Sequence, residues 1–221
     1  MPETTPVIHG PVAPAPPVGV LAGWAVSRRR SGAALTLSDH SLLAKAAVKA
    51  PWQGALADVL AVPFAGTLRR TAASTELLLT QPGPGEWLVL APPGEQTALV
   101  TWLERCAADV DELVSVLDVT HGLCLVRLTG AAAPDLLAKE CALDLSERRC
   151  PDRTALRTAV SRVAADIIRD DRDGNRSYLL ACERSSGQYL FDSLLDAGAE
   201  YGVEVTGFEP PGVTEQTARA D

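Results

Sequence analysis

Two apolar runs near the middle of the chain are separated by a cluster of prolines and glycines. Residues 76–80 and 86–90 are rich in leucine and valine, which is typical of β-strands. The segment 82–85 reads Pro-Gly-Pro-Gly and predicts the turn that joins them. Immediately downstream, apolar residues recur at helical spacing and predict a helix over about residues 95–109.

The second half of the chain continues with strands and two further helices. The predicted strands cover residues 113–117, 123–129, 155–164, 166–169 and 177–182. The 170–175 segment predicts a hairpin connection, because Gly174 and Asn175 tolerate positive φ. One helix is predicted to begin near Ala132, and another over about residues 187–201 carries an apolar stripe.

This order of elements predicts the fold class. Strands that follow one another with short connections favour antiparallel pairing, and the helices between them need a sheet face on which to pack. We therefore expect an α+β fold with antiparallel-rich sheets and packed helices. The order also suggests a repeated split β–α–β unit, although the two halves share no sequence identity.

Both ends of the chain differ in composition from the part between them. Residues 1–19 contain six prolines, which predicts an extended arm that is free or lies over a partner. Residues 210–221 are polar with a Pro-Pro step, and we expect a flexible tail there. The remaining residues, 20–209, are expected to form one domain.

Charge and hydropathy exclude two classes of partner. The net charge of −8 and the pI of about 4.9 argue against a nucleic-acid-binding surface, because the arginine runs are short and separated. No apolar run approaches the ~20 residues that a membrane span needs, and no secretory signal is recognisable. The sequence thus predicts a soluble, cytoplasmic protein with neither nucleic acid nor membrane as partner.

The five cysteines predict a reducing environment. Their number is odd, and no two form a CxxC pair, so a disulfide framework is not expected. Cys124 and Cys182 lie in strand-like runs, and Cys106 and Cys141 lie on helical faces. Cys150 precedes a proline in a loop, where it is either an incidental residue or a reactive thiol.

Most motifs that carry chemistry are missing from the sequence. There is no GxGxxG or phosphate-binding loop, and no GxSxG nucleophile elbow. His9, His40 and His121 are far apart, and none lies in a metal-binding motif. We therefore expect no catalytic site, no bound cofactor and no metal in this chain.

The segment 118–121, Asp-Val-Thr-His, is the one candidate that remains. In the first interpretation, Asp118, Thr120 and His121 cap backbone groups between two strands. In the second, Asp118 and His121 form a pair that faces a ligand. The sequence leaves both open, and these two residues are its weak candidates for a cofactor-binding site.

Four stretches resemble the gamma subunit of heterotetrameric sarcosine oxidase and, more distantly, the folate-binding aminomethyltransferases of the glycine cleavage T type. The stretches are PGEWLVL at 84–90, DVTH at 118–121 with LTG at 128–130, LLAKECALDL at 136–145, and ERS at 183–185 with YLFD at 189–192. Their order and separation fit the family across about residues 60–205, although the glycine that the family carries in the third stretch is Glu140 here.

This resemblance implies a reduced aminomethyltransferase fold and a small, non-catalytic subunit. Its partners would be the alpha, beta and delta subunits, which would carry FAD, FMN, NAD, zinc and tetrahydrofolate. The complex would oxidatively demethylate an N-methyl amine and pass the one-carbon unit to tetrahydrofolate. No stretch matches the paired acids of the aminomethyltransferases, since Asp170 and Asp171 fall in the predicted hairpin.

Two alternatives to this function remain open. One is a free-standing, folate-binding aminomethyltransferase-like protein, and the other is an unrelated α+β binding module.

Overall fold

The computed structural model describes residues 6–72 and 75–210. Thirteen strands lie in these ranges: β1 (Val18–Leu21), β2 (Trp24–Ser27), β3 (Leu35–Asp39), β4 (Ala44–Lys49), β5 (Thr67–Ala72), β6 (Thr75–Gly83), β7 (Glu86–Ala91), β8 (Ser115–Asp118), β9 (Leu123–Gly130), β10 (Ala155–Val160), β11 (Val163–Arg169), β12 (Ser177–Glu183) and β13 (Glu204–Val205). The four α-helices are α1 (Ala55–Leu60), α2 (Gln96–Ala108), α3 (Ala133–Glu140) and α4 (Gly187–Ala197).

Two large sheets dominate the described residues. One has six strands in the order β10-β11-β12-β9-β3-β13, and the other has five in the order β5-β6-β7-β4-β8. Neighbouring strands of both sheets run antiparallel except for β13, which is parallel to β3. A separate hairpin is formed by β1 and β2. The predicted α+β class with antiparallel-rich sheets is confirmed.

The elements stack in four layers because each sheet buries both of its faces. On β9, Cys124, Val126 and Leu128 face α3 and α4, whereas Leu125 faces the other sheet. This alternation follows from the two-residue period of a strand. Likewise, α1 and α2 cover the outer face of the five-stranded sheet, and leucines of β6 and β7 fill the space between the sheets.

The two sheets repeat one topology. Each is built from a strand, a helix, three strands, a helix and a last strand, namely β4-α1-β5-β6-β7-α2-β8 and β9-α3-β10-β11-β12-α4-β13. Within each unit the second, third and fourth strands lie side by side and the first follows them. The units differ in that β3 is inserted between β9 and β13, whereas β8 pairs directly with β4. A repeated unit was suggested by the order of elements, and the topology has one.

Most elements predicted from the second half of the sequence are present. The turn at 82–85 joins β6 to β7, and the 170–175 hairpin closes with Arg172 and Asn175 bonded to each other through their backbones. The elements between residues 18 and 72 were missed. One reason is that β4 places a lysine, Lys45, at a fully buried position, which hides the apolar pattern of the strand.

The described part of the predicted Pro-rich arm lies against its own chain. Ile8 forms backbone hydrogen bonds with Gly23 and Ala25, and Val12 is 3% exposed in the core under α4. The Ala13 amide donates a hydrogen bond to Gln188 on that helix at 2.7 Å. The tail predicted for residues 210–221 lies, except for its first residue, outside the described residues.

Gly130 ends β9 in a conformation that favours glycine. Its φ is +144°, and a Cβ at this position would collide with the Ala34 carbonyl oxygen and with Leu35 on β3. The chain can therefore approach β3 closely only without a side chain here. Gly174 also has a positive φ, of +77°, but no heavy atom would lie within 4 Å of its added Cβ.

This contrast generates a prediction for two alanine variants. Gly130→Ala should lower the free energy of unfolding by at least about 2 kcal/mol, because it combines backbone strain with a clash in the core. Gly174→Ala should cost about 1 kcal/mol from backbone strain alone. Chemical denaturation of both variants measures the difference, and equal costs would contradict the close approach of β9 to β3.

Candidate functional site

The Asp118–His121 segment connects β8 to β9, as the sequence predicts. The Asp118 carboxylate accepts a hydrogen bond from the Thr120 amide at 2.8 Å. The Thr120 hydroxyl accepts one from the Lys45 amide at 3.0 Å and donates to the Lys45 carbonyl at 3.4 Å. The His121 ring lies flat on Trp24, with ring centroids 4.9 Å apart. Asp118 and His121 thus contact different groups, and the structure does not bring them together as a pair.

The main polar cluster of the interior lies elsewhere, around Asp170. This carboxylate is 6% exposed and forms ion pairs with Arg127 at 2.7 Å, with Arg172 at 3.4 Å and with Arg69. Arg127 is on the central strand β9, and Arg69 reaches across from β5 in the other sheet. The cluster therefore connects the two sheets at one end of the layer between them.

The guanidinium group of Arg127, which is 4% exposed, also forms hydrogen bonds with uncharged groups. Its guanidinium donates to the Ser177 hydroxyl at 2.6 Å and to the Asp170 carbonyl at 3.2 Å. The Ser177 hydroxyl lies 2.9 Å from that of Thr129. Of the three guanidinium nitrogens of Arg127, Nε has no hydrogen-bond partner among the residues described.

The charges in this cluster shift one another's pKa values. Burial alone would raise the pKa of Asp170, but Arg127 and Arg69 outweigh it and hold the pKa below its ordinary value of 3.8. Burial, followed by the charge of Arg172, lowers the pKa of Arg127 to about 10. All four groups consequently remain charged at neutral pH.

His40 lies at the rim of the same charges and is 1% exposed. Burial first, and then the positive charges of Arg127 and Arg172, lower its pKa well below the ordinary value, so that the ring is neutral at pH 7. The ring packs edge-on against Phe208, with centroids 4.7 Å apart. Its Nδ1 has no hydrogen-bond partner in the part of the chain that the structure describes.

Lys45 is the second buried cation, and its side chain is fully buried. Its ammonium group donates to the carbonyls of Ser41 at 2.6 Å and Leu43 at 2.8 Å, which fixes the turn between β3 and β4. Burial lowers its pKa to about 8 against the opposing effect of Asp39. No carboxylate forms a salt bridge with Lys45 among the described residues.

Cys150 does not have the environment of a nucleophile. Its side chain is fully buried, and burial raises the pKa of the thiol. Its carbonyl accepts a hydrogen bond from Arg169, which also binds Asp171 and Glu147. Arg169 thereby holds the loop before β10 onto the sheet, and the structure favours the interpretation of Cys150 as an incidental loop residue.

A small cavity lies beneath the N-terminal segment. It is lined mainly by apolar side chains, including Val12, Phe191 and Phe208, together with the Asp39 carboxyl group. Its volume of about 20 Å³ is enough for one water molecule and too small for a cofactor. Burial raises the pKa of Asp39 above its ordinary value.

Over residues 6–72 and 75–210, no three His, Cys, Asp or Glu side chains are grouped so that they could hold a metal ion. Across the same ranges, none of the helices combines the length and the apolar character needed to cross a bilayer.

Sequence reasoning missed the Asp170 cluster although one signal was available. Arg127 is the single charged residue in the apolar strand Leu123–Gly130, and a charge there needs a buried partner. Asp170 gave no such signal, because the charged residues around it are typical of a solvated turn. Its partner Arg69 lies 101 residues away in sequence.

Comparison with known proteins identifies the family. Residues 69–212, more than half of the chain, match the family model described as the GCVT N-terminal domain. The chain belongs to this family.

Two curated proteins illustrate the relationship. The chain is 31% identical over 122 residues to sarcosine oxidase subunit gamma of Corynebacterium sp. (strain P-1), a match that covers 55% of the chain and 57% of the relative. It is 26% identical over 132 residues to mitochondrial dimethylglycine dehydrogenase of Homo sapiens, covering 60% of the chain and 15% of that enzyme. The matched region is thus little more than half of the first relative and a small part of the second.

Solved structures of GCVT-type proteins share the fold. A chain of heterotetrameric sarcosine oxidase from Corynebacterium sp. U-96 aligns with a TM-score of 0.64 at 22% identity, over 80% of this chain and 90% of that one. The glycine cleavage system aminomethyltransferase T of Bartonella henselae aligns with a TM-score of 0.67 at 19% identity, over 86% of this chain and 55% of that one. At sequence identities of 22% and 19%, these alignments show a similarity in fold alone.

The first prediction from the site concerns Asp170→Asn. Removing this charge leaves Arg127 buried without a counter-ion, and we expect the free energy of unfolding to fall by about 3–5 kcal/mol. Glu76→Gln is the control, because Glu76 binds Arg69 in a largely exposed pair and should cost less than about 1 kcal/mol.

The same variant predicts a change in pH dependence. The folded pKa of Asp170 lies below 3.8, so its stabilisation is fully present above about pH 4 and is lost as pH falls through the folded pKa. Asp170→Asn should therefore lose less stability than the wild type on acidification. Denaturation between pH 6 and pH 3 measures this, and parallel curves would contradict the assignment.

A second prediction concerns Lys45. Its pKa of about 8 lies below the unfolded value of 10.5, so between these pH values the unfolded chain binds a proton that the folded chain does not. This group therefore makes the folded state more stable as pH rises from 8 to 10.5. The free energy of unfolding of the wild type, measured by denaturation relative to that of Lys45→Met, should therefore increase over this range.

Lys49→Met is the matched control for Lys45, because the Lys49 side chain is 68% exposed. Its difference from the wild type, measured over the same pH range, is the reference for a lysine that is exposed to water. A change for Lys45→Met that does not exceed this reference would show that the Lys45 ammonium group is not desolvated.

Proposed function

We propose that this chain is a small, non-catalytic subunit of a heteromeric, sarcosine oxidase-like complex. The observation that carries the proposal is the 31% identity to a sarcosine oxidase gamma subunit over 122 residues. The likeness in fold to most of one chain of a heterotetrameric sarcosine oxidase supports it. The complex would oxidatively demethylate an N-methyl amine, with tetrahydrofolate as the one-carbon acceptor.

The interior of the chain supports a structural role. Catalytic acids and bases need a substrate within hydrogen-bond reach, usually in a cleft. Here the buried carboxylate of Asp170 is bound by three arginines, and the Lys45 ammonium group is bound by two carbonyls. Both charged groups are therefore already bound by other groups of the same chain. This arrangement favours a structural role over an active site.

The cofactors and partners follow from this proposal. We infer that FAD, FMN, NAD, zinc and tetrahydrofolate would bind other subunits, corresponding to alpha, beta and delta. This chain would bind none of them and would stabilise the assembly.

A second candidate function is that of a free-standing, folate-binding aminomethyltransferase-like protein. It is favoured by the family and by the similarity in fold to aminomethyltransferase T. The alignment covers only 55% of that enzyme, so a site that needs the rest of its fold would be incomplete in this chain. We therefore rank this candidate second.

The test is co-expression of the chain with sarcosine oxidase-like large subunits from the same genome. We expect a complex that contains flavin, and we expect the purified chain alone to lack flavin absorbance. A chain that fails to associate with these subunits would overturn the proposal. A chain that alone transfers a one-carbon unit to tetrahydrofolate would favour the second candidate.

The Asp118→Ala variant tests the non-catalytic role separately. It removes the acceptor of the Thr120 amide, and we expect a loss of about 1 kcal/mol in stability with turnover per assembled complex near that of the wild type. His121→Ala removes the stacked partner of Trp24 and serves as a comparison. A fully assembled Asp118→Ala complex with at least about a hundredfold lower turnover would mark a catalytic role.

A further inference from the structure

β8 is the outermost strand on one side of the five-stranded sheet. Within residues 6–72 and 75–210 its one neighbouring strand is β4, which pairs with it over four residues. The facing six-stranded sheet packs on leucines of β6 and β7 and leaves most of β8 exposed. The outer edge and one face of this strand are consequently open.

The open face of β8, together with the segment just before it, carries leucines where solvent would favour polar residues. Val114 and Val116 pack toward the core under α2, as expected for the inward side of the strand. Leu113 and Leu117 lie at the alternate positions and are 88% and 61% exposed. A one-sided antiparallel strand normally alternates apolar and polar residues, so these two leucines are unusual.

The backbone of β8 has free hydrogen-bonding groups along the same edge. The Val119 amide donates to the Lys45 carbonyl at 2.9 Å, which defines the residues that face β4. Antiparallel pairs alternate, so Leu117 and Ser115 also bond toward β4. The N–H and C=O groups of Val116 and Asp118 therefore point away from the sheet, where another strand could pair with them.

The segment that leads into β8 carries mostly negative charge, and Lys49, which lies opposite Ser115 on β4, is already paired with Glu86. Residues 104–118 contain five acids and one arginine, for a net charge of −4. None of these acids forms a salt bridge with another described residue. Asp109 and Asp111 follow the C-terminal end of α2, where the helix dipole disfavours negative charge. A basic partner would relieve this arrangement.

We propose that β8 is a docking edge for an extended, basic segment of a large subunit of the same complex. The segment adds a strand beside β8, bonds to the free groups of Val116 and Asp118, and covers Leu113 and Leu117. Lysines or arginines of the segment pair with the acids around the edge. This inference rests on the proposed function, because it names the surface through which the chain would assemble.

The experiment compares lysine and glutamate variants in the co-expressed complex. The double variant Leu113→Lys with Leu117→Lys should weaken association by at least about tenfold, because it removes apolar burial and adds repulsion against a basic segment. The corresponding glutamate pair should weaken association less, since it complements the partner's charge. Association of the wild type should also weaken as salt is raised.

Val18→Lys with Val20→Lys is the matched control. These valines lie on β1 and are 54% and 52% exposed, and their replacement should change affinity by less than about threefold. Because all four residues are exposed, every variant should melt like the wild type when isolated. Hydrogen exchange adds an independent measurement, in which the Val116 and Asp118 amides gain protection in the complex.

The possible outcomes separate the two proposals. A wild-type complex that the Leu113 and Leu117 variants leave intact would overturn the docking edge and leave the proposed function standing. A wild-type chain that binds none of the large subunits would overturn both. A homodimer of the isolated chain that Leu113→Lys dissociates would assign the edge to a second copy and overturn the proposal.

Discussion

The Asp170 carboxylate provides a directional contact between the two sheets. Apolar contacts between stacked sheets are non-directional, so the leucines between them would tolerate small shifts of one sheet over the other. Asp170 limits this freedom because it binds Arg127 within its own sheet and Arg69 from the other. A shift of one sheet over the other would break the Arg69–Asp170 pair, which is half buried, while Asp170 would keep Arg127 and Arg172 and Arg69 would keep Glu76.

A second ion cluster includes Asp166, four residues before Asp170. Arg157 on β10 binds Asp166 on β11 at 2.7 Å and also binds Glu86 at the start of β7. Glu86 in turn binds Lys49 at 2.9 Å. This cluster is more exposed than the one around Asp170, so its contribution is smaller. Together the two clusters add charged contacts to the largely apolar interface between the sheets.

The fold was largely predictable from sequence where the pattern of apolar residues was simple. The runs that form β6, β7 and β9 are nearly continuously apolar, and α2 and α4 show helical spacing, so their positions were predicted within a few residues. Prediction failed where a buried position carries charge, as Lys45 does in β4. A charged residue in a sequence pattern predicts an exposed position. In the structure, however, the buried Lys45 ammonium group donates hydrogen bonds to two nearby carbonyl oxygens.

The candidate site was harder to predict because its contacts are distant in sequence. The turn formed by Asp118 and Thr120 is local, and the sequence suggested it. The Asp170 cluster joins strands that are 43 and 101 residues apart, and only the paired sheets bring them together. The local sequence around Asp170 predicts the hairpin correctly and gives no sign that this carboxylate faces inward.

The repeated topology gives a reason why the exposed edge lies where it does. In the second unit, β3 from the N-terminal part of the chain is inserted next to β9 and extends the six-stranded sheet. The first unit receives no such strand, and its sheet ends at β8. Because β3 lies between β9 and β13, the last strand of each unit still forms an edge of its sheet. Short edge strands are one way in which proteins avoid further pairing, and β13 has only two residues. β8 has four residues and is accompanied by the exposed Leu113 and Leu117, so the edge of the first unit is the better template for an added strand.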